Sequence, residues 1–334
     1  MSTNSKKPNA QKVKAQIESL LPPVRMVTMR DEADYYGASR IIARSLGLPF
    51  KPKSFTGWKH GWLHAPLKYV EQLTGNSRYT RFLVAAKEHE LFLRQHGIEA
   101  KAVGMPFLYV DTAETKHIKR IPNSLLVMPP HSLPYTKHAW SEELYADQIA
   151  ALADDFDVIV ACLHHSCVQK KLWIDAFEKH GIPWITGADS TDTNALLRMH
   201  RIFRSFEYMT TNAVGSHIVY AAYCGCKVSI YGSYQEYTEE DYKHDTAYQK
   251  FSLLLEHNLA SSTEKSIQKA YPFLFSHPAE AAARREWAAE QLGESNRVSA
   301  KKIAKLLGWS FMPQLNYLIF ELPKKVIAKI GRHF

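Results

Sequence analysis

Up to about residue 22 the chain is polar and shows no apolar period, which predicts a flexible N-terminal arm. A short apolar stretch follows at 24–29. Arg30, Asp31 and Glu32 then open a helical pattern carried by Ala33, Tyr36, Ile41, Ile42 and Leu46. Asp31 falls where a carboxylate suits the positive end of a helix. Residues 55–62 are too rich in glycine and aromatics for a helix. Residues 81–86 read as a buried strand, 88–96 as a helix closed by Gly97, and 98–104 as another strand. Further on the alternation becomes regular. Strands are predicted at 124–128, 158–163, 183–186, 208–211 and 227–231, with helices at 142–153, 171–180, 192–203 and 215–224. Strands alternating with helices imply a parallel sheet covered on both faces.

Between the two strand-bearing regions, residues 111–123 are charged and lack an apolar period, which places a domain junction there. The predicted organisation is a flexible arm at 1–22, an α/β domain at 23–115, a second α/β domain at 116–290, and basic amphipathic helices at 291–334. A length of 334 residues, with 46% apolar and 22% charged residues, suits two globular domains.

Ligands of parallel α/β sheets bind beyond the carboxyl ends of the strands. Four predicted strand ends carry polar residues or glycine, and together they outline a site. The first is His131 with Ser132, after a diproline turn. The second is His164, followed by His165 and Ser166. The third holds Gly187 and Asp189, with Asp192 and Arg198 at the helix beyond. The fourth runs from Asn212 through Gly215, Ser216 and His217 into a helix. A helix amino terminus offers free N–H groups and a positive dipole end to phosphate; the plainer alternative is that Asn212 or Ser216 caps the helix. Asp189 or Asp192 could meet ribose hydroxyls and Arg198 a phosphate, or Asp192 is an ordinary cap and Arg198 a solvated helix residue.

At this last loop the chain resembles a known family. Residues 211–232, TNAVGSHIVYAAYCGCKVSIYG, are similar to the donor-binding helix of GT-B glycosyltransferases, above all of enzymes that build capsule, lipopolysaccharide and related bacterial surface polysaccharides. Residues 57–68, GWKHGWLHAPLK, resemble the His-Gly motif in the N-terminal domain of several such families, including teichoic-acid polymerases. Lys59 departs from them, standing where those polymerases carry tryptophan. Residues 126–132 resemble the first strand of the C-terminal domain, and residues 104–108 the turn before the interdomain linker. The resemblance implies two Rossmann-like domains with a deep interdomain cleft and C-terminal helices. The first domain would face the acceptor and the second would bind the nucleotide-sugar, CMP-, UDP- or GDP-linked. It implies a lipid-linked or polysaccharide acceptor and no obligatory metal or other cofactor.

His60 is then the expected general base, because imidazole titrates near neutrality and suits removal of a proton from an acceptor hydroxyl. Asp31, Glu32 and Asp34 compete for that role, and a structural imidazole is the plain alternative. Trp58, Trp62 and Tyr35 are the expected acceptor contacts. The run from Cys162 to Cys167 invites a metal reading, but strand alternation would point its neighbours to opposite faces.

The formal net charge of +9 gathers at the two ends, at Lys6, Lys7, Lys12 and Lys14 and again from Lys301 to Arg332. The basic, apolar-interleaved end is expected either to lie on an anionic membrane surface or to dock on the body. No nucleic-acid-binding signature, P-loop or dinucleotide fingerprint appears, and nucleic acid is not an expected partner. A non-catalytic nucleotide- or nucleic-acid-binding regulator on the same sheet is the competing function. Without a run of 18 apolar residues or a secretory leader, and with four cysteines in apolar contexts, the expectation is a cytoplasmic protein, peripheral on the inner face of the plasma membrane if its tail binds there.

Overall fold

The computed structural model describes residues 9–29, 31–131 and 140–323. Ser132, Lys6, Lys7 and the basic residues from Lys324 onward therefore lie outside the described residues. Two parallel sheets organise the chain. The smaller holds β1 (Gly57–Trp58), β2 (Arg81–Val84) and β3 (Glu99–Ala102) in that order. The larger holds β4 (Ile121–Val127), β5 (Val158–Leu163), β6 (Trp184–Thr186), β7 (Phe206–Thr211) and β8 (Lys227–Ile230), ordered β6-β5-β4-β7-β8. Each predicted strand of the regular region is present within a few residues of its expected span.

All six residues of β5 are buried, because helices cover both faces of the larger sheet. Leu125, Val127, Ile159, Ala161 and Leu163 pack with Tyr145, Trp173 and Phe177 on one side. Leu126, Val158, Val160 and Cys162 pack with Leu196, Phe203 and Ile218 on the other. Alternate residues of one strand thus serve different cores, as the pleat requires. The second of these cores continues into the first unit through Phe107, Leu83 and Ile42. In the order β6-β5-β4-β7-β8, the connections leaving β4 toward β5 and from β7 toward β8 run in opposite directions across the sheet. This topological switch opens a crevice at the carboxyl ends of β4 and β7.

Three segments differ from the sequence-based picture. The stretch expected as a flexible arm forms helix α1 (Ala10–Leu20), capped by the Asn9 side chain, with Val13 and Ile17 buried one turn apart. Two apolar residues give a weak periodic signal, yet they suffice once a complementary surface exists. The expected helix after Asp31 is broken: a 3-10 stretch, Glu32–Gly37, precedes helix α2 (Ala38–Ser45), and Tyr36 takes a left-handed conformation with φ of 56°. The C-terminal helices return to the first unit. The Met105 N–H donates to Leu292 O at 2.9 Å and the Phe55 N–H to Leu307 O at 3.0 Å. Those carbonyls belong to the helical regions Arg285–Leu292 and Ala300–Leu306 with its cap. Among the described residues, no helix is long and apolar enough to cross a membrane.

Candidate functional site

A cavity of about 250 Å³ occupies the crevice. The turns after β4, β5, β6 and β7 line it with Pro130, His131, His164, Gly187, Gly215, Ser216 and His217, and the first unit contributes Tyr36, His60 and Gly61. The two units meet here through the loop after β1. The Tyr220 hydroxyl donates to His60 O at 2.6 Å, and the Trp62 N–H donates to the Ser216 hydroxyl at 2.9 Å.

Helix α3 (Ser216–Tyr223) begins at this cavity without a side-chain cap. The N–H groups of Ser216 and His217 have no intrahelical acceptor by construction, while that of Ile218 donates to Gly215 O at 3.2 Å, and the start presents the positive end of the helix dipole. Gly215 permits the approach: a Cβ there would lie 2.7 Å from Cε1 of His217. The His217 ring is in turn fixed by a 3.0 Å bond between Nε2 and the Thr211 hydroxyl.

Four imidazoles border the cavity. The His131 and His164 rings lie 4.9 Å apart. His164 Nδ1 is 2.8 Å from the Ser166 hydroxyl, while its Nε2 is buried without a partner. His60 sits between the rings of Tyr35 and Tyr36, at 5.0 and 5.3 Å. Burial pushes His60, His164 and His217 down to about 3; the Lys59 charge adds to the effect at His60, and His131 adds to it at the other two. These rings are neutral near pH 7, so each can accept or donate a hydrogen bond without bringing charge. No lysine or arginine stands among the described residues that line the cavity. The pocket can therefore hold a polar, hydrogen-bonding ligand. Positive potential comes from the helix end and from Lys59 nearby.

Other expected site residues have different employment. Arg198 is buried, and all its nitrogens serve carbonyls: Nε donates to Thr186 and Gly187, Nη2 to Thr186, and Nη1 to Pro22 at 2.7 Å. It braces the cavity wall from behind, with each of its three nitrogens turned to a backbone carbonyl. Asn212 is also buried, its amide donating to Ser233 O. Asp189 is folded back on its own turn through Thr191 and faces His165 at 3.6 Å. Asp192 accepts the Arg25 and Asn194 N–H groups.

The acidic group near the start is divided. Asp31 is bound by Lys51 at 2.8 Å, by Lys53, and by the Ser54 N–H and Tyr79 hydroxyl. It anchors the 51–54 loop and does not cap a helix. Asp34 is paired with Lys51 and Ser39. Glu32 and Tyr35 line a separate open groove beside Tyr79 and Tyr317, where burial raises the Glu32 carboxyl. Of the expected acceptor contacts, Trp58 is interior, its indole donating to Gly104 O at 3.1 Å. Trp62 is buried among Tyr271 and Trp287, with its indole on Gln291. Neither lines the cavity, because an aromatic loop rich in buried bonds stabilises the junction between units before it can offer surface. Cys162 and Cys167 belong to opposite faces of the larger sheet, so they do not converge.

Sequence reasoning missed Tyr36, Tyr220 and Tyr237, which line the cavity with the residues it found. Tyr220 stands one turn beyond Ser216 on α3, a spacing that could have revealed it. Tyr36 is placed by a backbone break that no periodic signal encodes.

No family model matches the chain, and no curated protein does. Among solved structures, it is similar to the pneumococcal O-GlcNAc transferase GtfA in complex with UDP and GlcNAc, at 13% identity over 75% of this chain and 52% of that one, with a TM-score of 0.32. It is similar to a mutant of S. aureus TarM in complex with UDP, at 11% identity over 76% of this chain and 53% of that one, with a TM-score of 0.30. A third is the glycotransferase of kitacinnamycin, at 16% identity over 80% of this chain and 73% of that one, with a TM-score of 0.31. The chain spans about half the length of the first two.

Proposed function

We propose that the protein transfers a sugar from a nucleotide-sugar to an acceptor hydroxyl. The observation that supports this most is the uncapped start of α3 opening into a cavity at the switch point of a parallel sheet, with His60 carried to the same cavity by the other unit. In this reading the nucleotide lies over the ends of β4 to β7, and its phosphate meets the N–H groups at Ser216 and His217. The acceptor oxygen attacks the anomeric carbon, the bond from that carbon to the phosphate oxygen breaks, and the nucleotide leaves with the bonding electrons. Neutral His60 is placed to take the acceptor proton. Because burial and Lys59 hold its ring at about 3, far from the near-neutral value expected of a base, the proton moves to it only as the acceptor oxygen bonds to the anomeric carbon. Positive helix-end potential stabilises the charge developing on the leaving phosphate, in a site shielded from water. The free space of about 250 Å³ is below the roughly 300–1,000 Å³ usual for ligand pockets. The cavity therefore has to widen when the sugar nucleotide enters.

The reading extends to bacterial surface-glycan synthesis with a lipid-linked or polysaccharide acceptor, without an obligatory metal. Exposed Phe311, Met312, Leu318, Ile319 and Phe320, downstream of exposed Lys301, Lys302 and Lys305, support a peripheral position on an anionic membrane. Four free, buried cysteines accord with the reducing cytoplasm.

Calorimetric titration with CMP, UDP, GDP and ADP, with and without magnesium, tests the reading. One nucleotide should bind selectively. Absence of binding to all four would leave the sensor or regulator function in its place. His60→Ala should abolish transfer while nucleotide affinity stays within about threefold; unchanged turnover would remove His60 as the base.

A further inference from the structure

The C-terminal helices leave an apolar face uncovered. Phe311, Met312, Leu318, Ile319 and Phe320 are each more than half exposed, along the helix Phe311–Asn316 and its continuation Tyr317–Glu321. So dense a run of large exposed side chains marks a surface that meets an apolar partner. The same stretch closes one side of a groove of about 1,110 Å³, more than four times the free space of the crevice. The first unit forms the other side, where residues 54–56 lead into β1 and residues 76–81 into β2. The groove therefore lies at the amino ends of those strands, at the opposite end of the smaller sheet from the turn that carries His60. Its two sides are fastened together. The Thr56 hydroxyl donates to Leu306 O at 2.7 Å, the Trp309 indole to the Ser54 hydroxyl at 3.1 Å, and the Gln314 amide to Lys53 O at 2.8 Å. Phe55 and Tyr317 meet edge to face at 5.8 Å.

Phe320 and Tyr317 line the groove together with Arg78 and Lys305, both exposed. The other two cations of the groove are engaged, Lys53 with Asp31 and Arg81 with Glu99 at 2.7 Å. Among the described residues, no carboxylate forms an ion pair with Arg78 or Lys305. Glu32, Glu321, Asn76 and Asn316 line the groove as well and offer hydrogen-bond partners for hydroxyl groups. An apolar face beside a groove with two unpaired cations and hydroxyl partners has the chemistry of a phospholipid seat, with acyl chains on the first and headgroup in the second. Charge complementarity supports an anionic bilayer as the occupant. Lys301 and Lys302 are exposed on the helix that carries Lys305, and Lys324, Lys325, Lys329 and Arg332 follow in the sequence shortly after the groove-lining Glu321.

We propose that this groove seats the headgroup of an anionic phospholipid, with its phosphate against Arg78 and Lys305 and its hydroxyls against Glu32 and Asn76, while the face from Phe311 to Phe320 enters the acyl region. The proposal rests on the membrane reading of the C-terminal helices and does not depend on sugar transfer. Tyr35 lines the groove, and its ring lies 5.0 Å from that of His60, so the headgroup seat and the crevice share a wall. A chain held in this way keeps its crevice beside the bilayer surface.

The test mixes the full chain with phosphatidylcholine vesicles, with and without phosphatidylglycerol, and measures binding by co-sedimentation. Phosphatidylglycerol should strengthen binding. Arg78→Gln and Lys305→Gln should each weaken it about fivefold, the effect of one cation at an anionic surface. Phe320→Ser should weaken binding to both compositions. These side chains are exposed, so Tm should not move. Any surface cation attracts an anionic bilayer, so calorimetry with dihexanoylphosphatidylglycerol below its micellar concentration isolates the seat. That lipid should bind saturably. Arg78→Gln should weaken it about tenfold or more, as expected for loss of a charged hydrogen bond. Lys302→Gln, which lies off the groove, should leave it unchanged. Equal affinity of Arg78→Gln and the unmodified protein for the short-chain lipid would overturn the seat, and vesicle binding lost in Phe320→Ser alone would then leave the membrane reading standing without it. Saturable binding of inorganic phosphate that Arg78→Gln abolishes, with no binding to either vesicle, would make the ligand a free phosphate and remove both lipid claims. Self-association that Phe320→Ser abolishes, again without vesicle binding, would make the face a contact between copies of the chain and overturn the proposal. Nucleotide affinity should be unchanged in every variant, so a failed nucleotide titration would remove the transfer reading and leave this site in place.

Discussion

Replacing Arg198 by methionine keeps most of the side-chain stem and removes the guanidinium. In the folded protein that group joins three carbonyls from two distant segments: Thr186 and Gly187 at the end of β6, and Pro22 just after α1. Arg198 is only 8% exposed, so solvent does little to replace the lost partners. A hydrogen bond from a charged group contributes about 1.5–3 kcal/mol. The bonds share one side chain, and removing the guanidinium also removes its desolvation cost, so they do not add fully. A net loss of about 3–5 kcal/mol follows, the range for breaking a buried charged arrangement. At roughly 2–4 °C per kcal/mol, Tm should fall by about 6–20 °C. Thermal unfolding by circular dichroism measures this. Limited proteolysis should in addition show α1 released first, since its carboxyl end loses the Pro22 tie. Below the new melting range, nucleotide affinity should remain within about threefold. Arg198→Lys should fall between, because one ammonium cannot span both segments. If Arg198→Met leaves Tm within about 2 °C but abolishes nucleotide binding, the bracing role is refuted and Arg198 is a phosphate ligand.

Three further outcomes follow from the geometry. Gly215→Ala places a Cβ 2.7 Å from the His217 ring and should push that ring from its Thr211 contact; calorimetry should show nucleotide affinity about tenfold weaker, with Tm nearly unchanged because the obstacle is a movable side chain. Gly293→Ala places a Cβ 2.1 Å from Ala85 O at a φ of +72°, where backbone strain alone costs roughly 1–3 kcal/mol; Tm should drop clearly, and an unchanged value would contradict the close contact between the C-terminal segment and the smaller sheet. His60, His164 and His217 are pushed down to about 3, and His64 and His200 to about 4, chiefly by burial. Since the unfolded chain takes up protons first, the stability these groups contribute is present above pH 6.5 and is lost as pH falls toward 4, by at most about 1.4 kcal/mol per pH unit for each ring. A Tm that stays flat between pH 7 and 5 would show that these imidazoles are not buried as neutral groups.

Strand and helix placement was legible because burial on both faces of a parallel sheet leaves short apolar runs, as in Val158–Leu163, and glycines mark the ends of helices, as at Gly97 and Gly225. The cavity was legible in outline for a related reason. The strand-end turns at His131, His164, Gly187 and Gly215 follow the strands in the chain, and the topology of such sheets brings those turns together. The irregular N-terminal segment was far less legible. Tyr36 reaches the cavity through a left-handed backbone residue, and Asp31 turns to Lys51 and Lys53, where a helix cap was the local expectation.

By itself the sequence determined the order of strands and helices, the parallel character of the sheets, and the gathering of basic residues toward the two ends of the chain. These features depend on local backbone preference and on which face of each element is apolar, and both repeat at short range along the chain. Only the tertiary structure decided how each polar or aromatic side chain is employed. Arg198 meets Pro22, and Trp62 meets Gln291 and Ser216, through contacts that join distant parts of the chain. A hydrogen bond or an unpaired charge is set by what surrounds a group in space. A short-range pattern identifies the residue type available at a position, while folding determines whether that residue holds the protein together or remains free for a ligand.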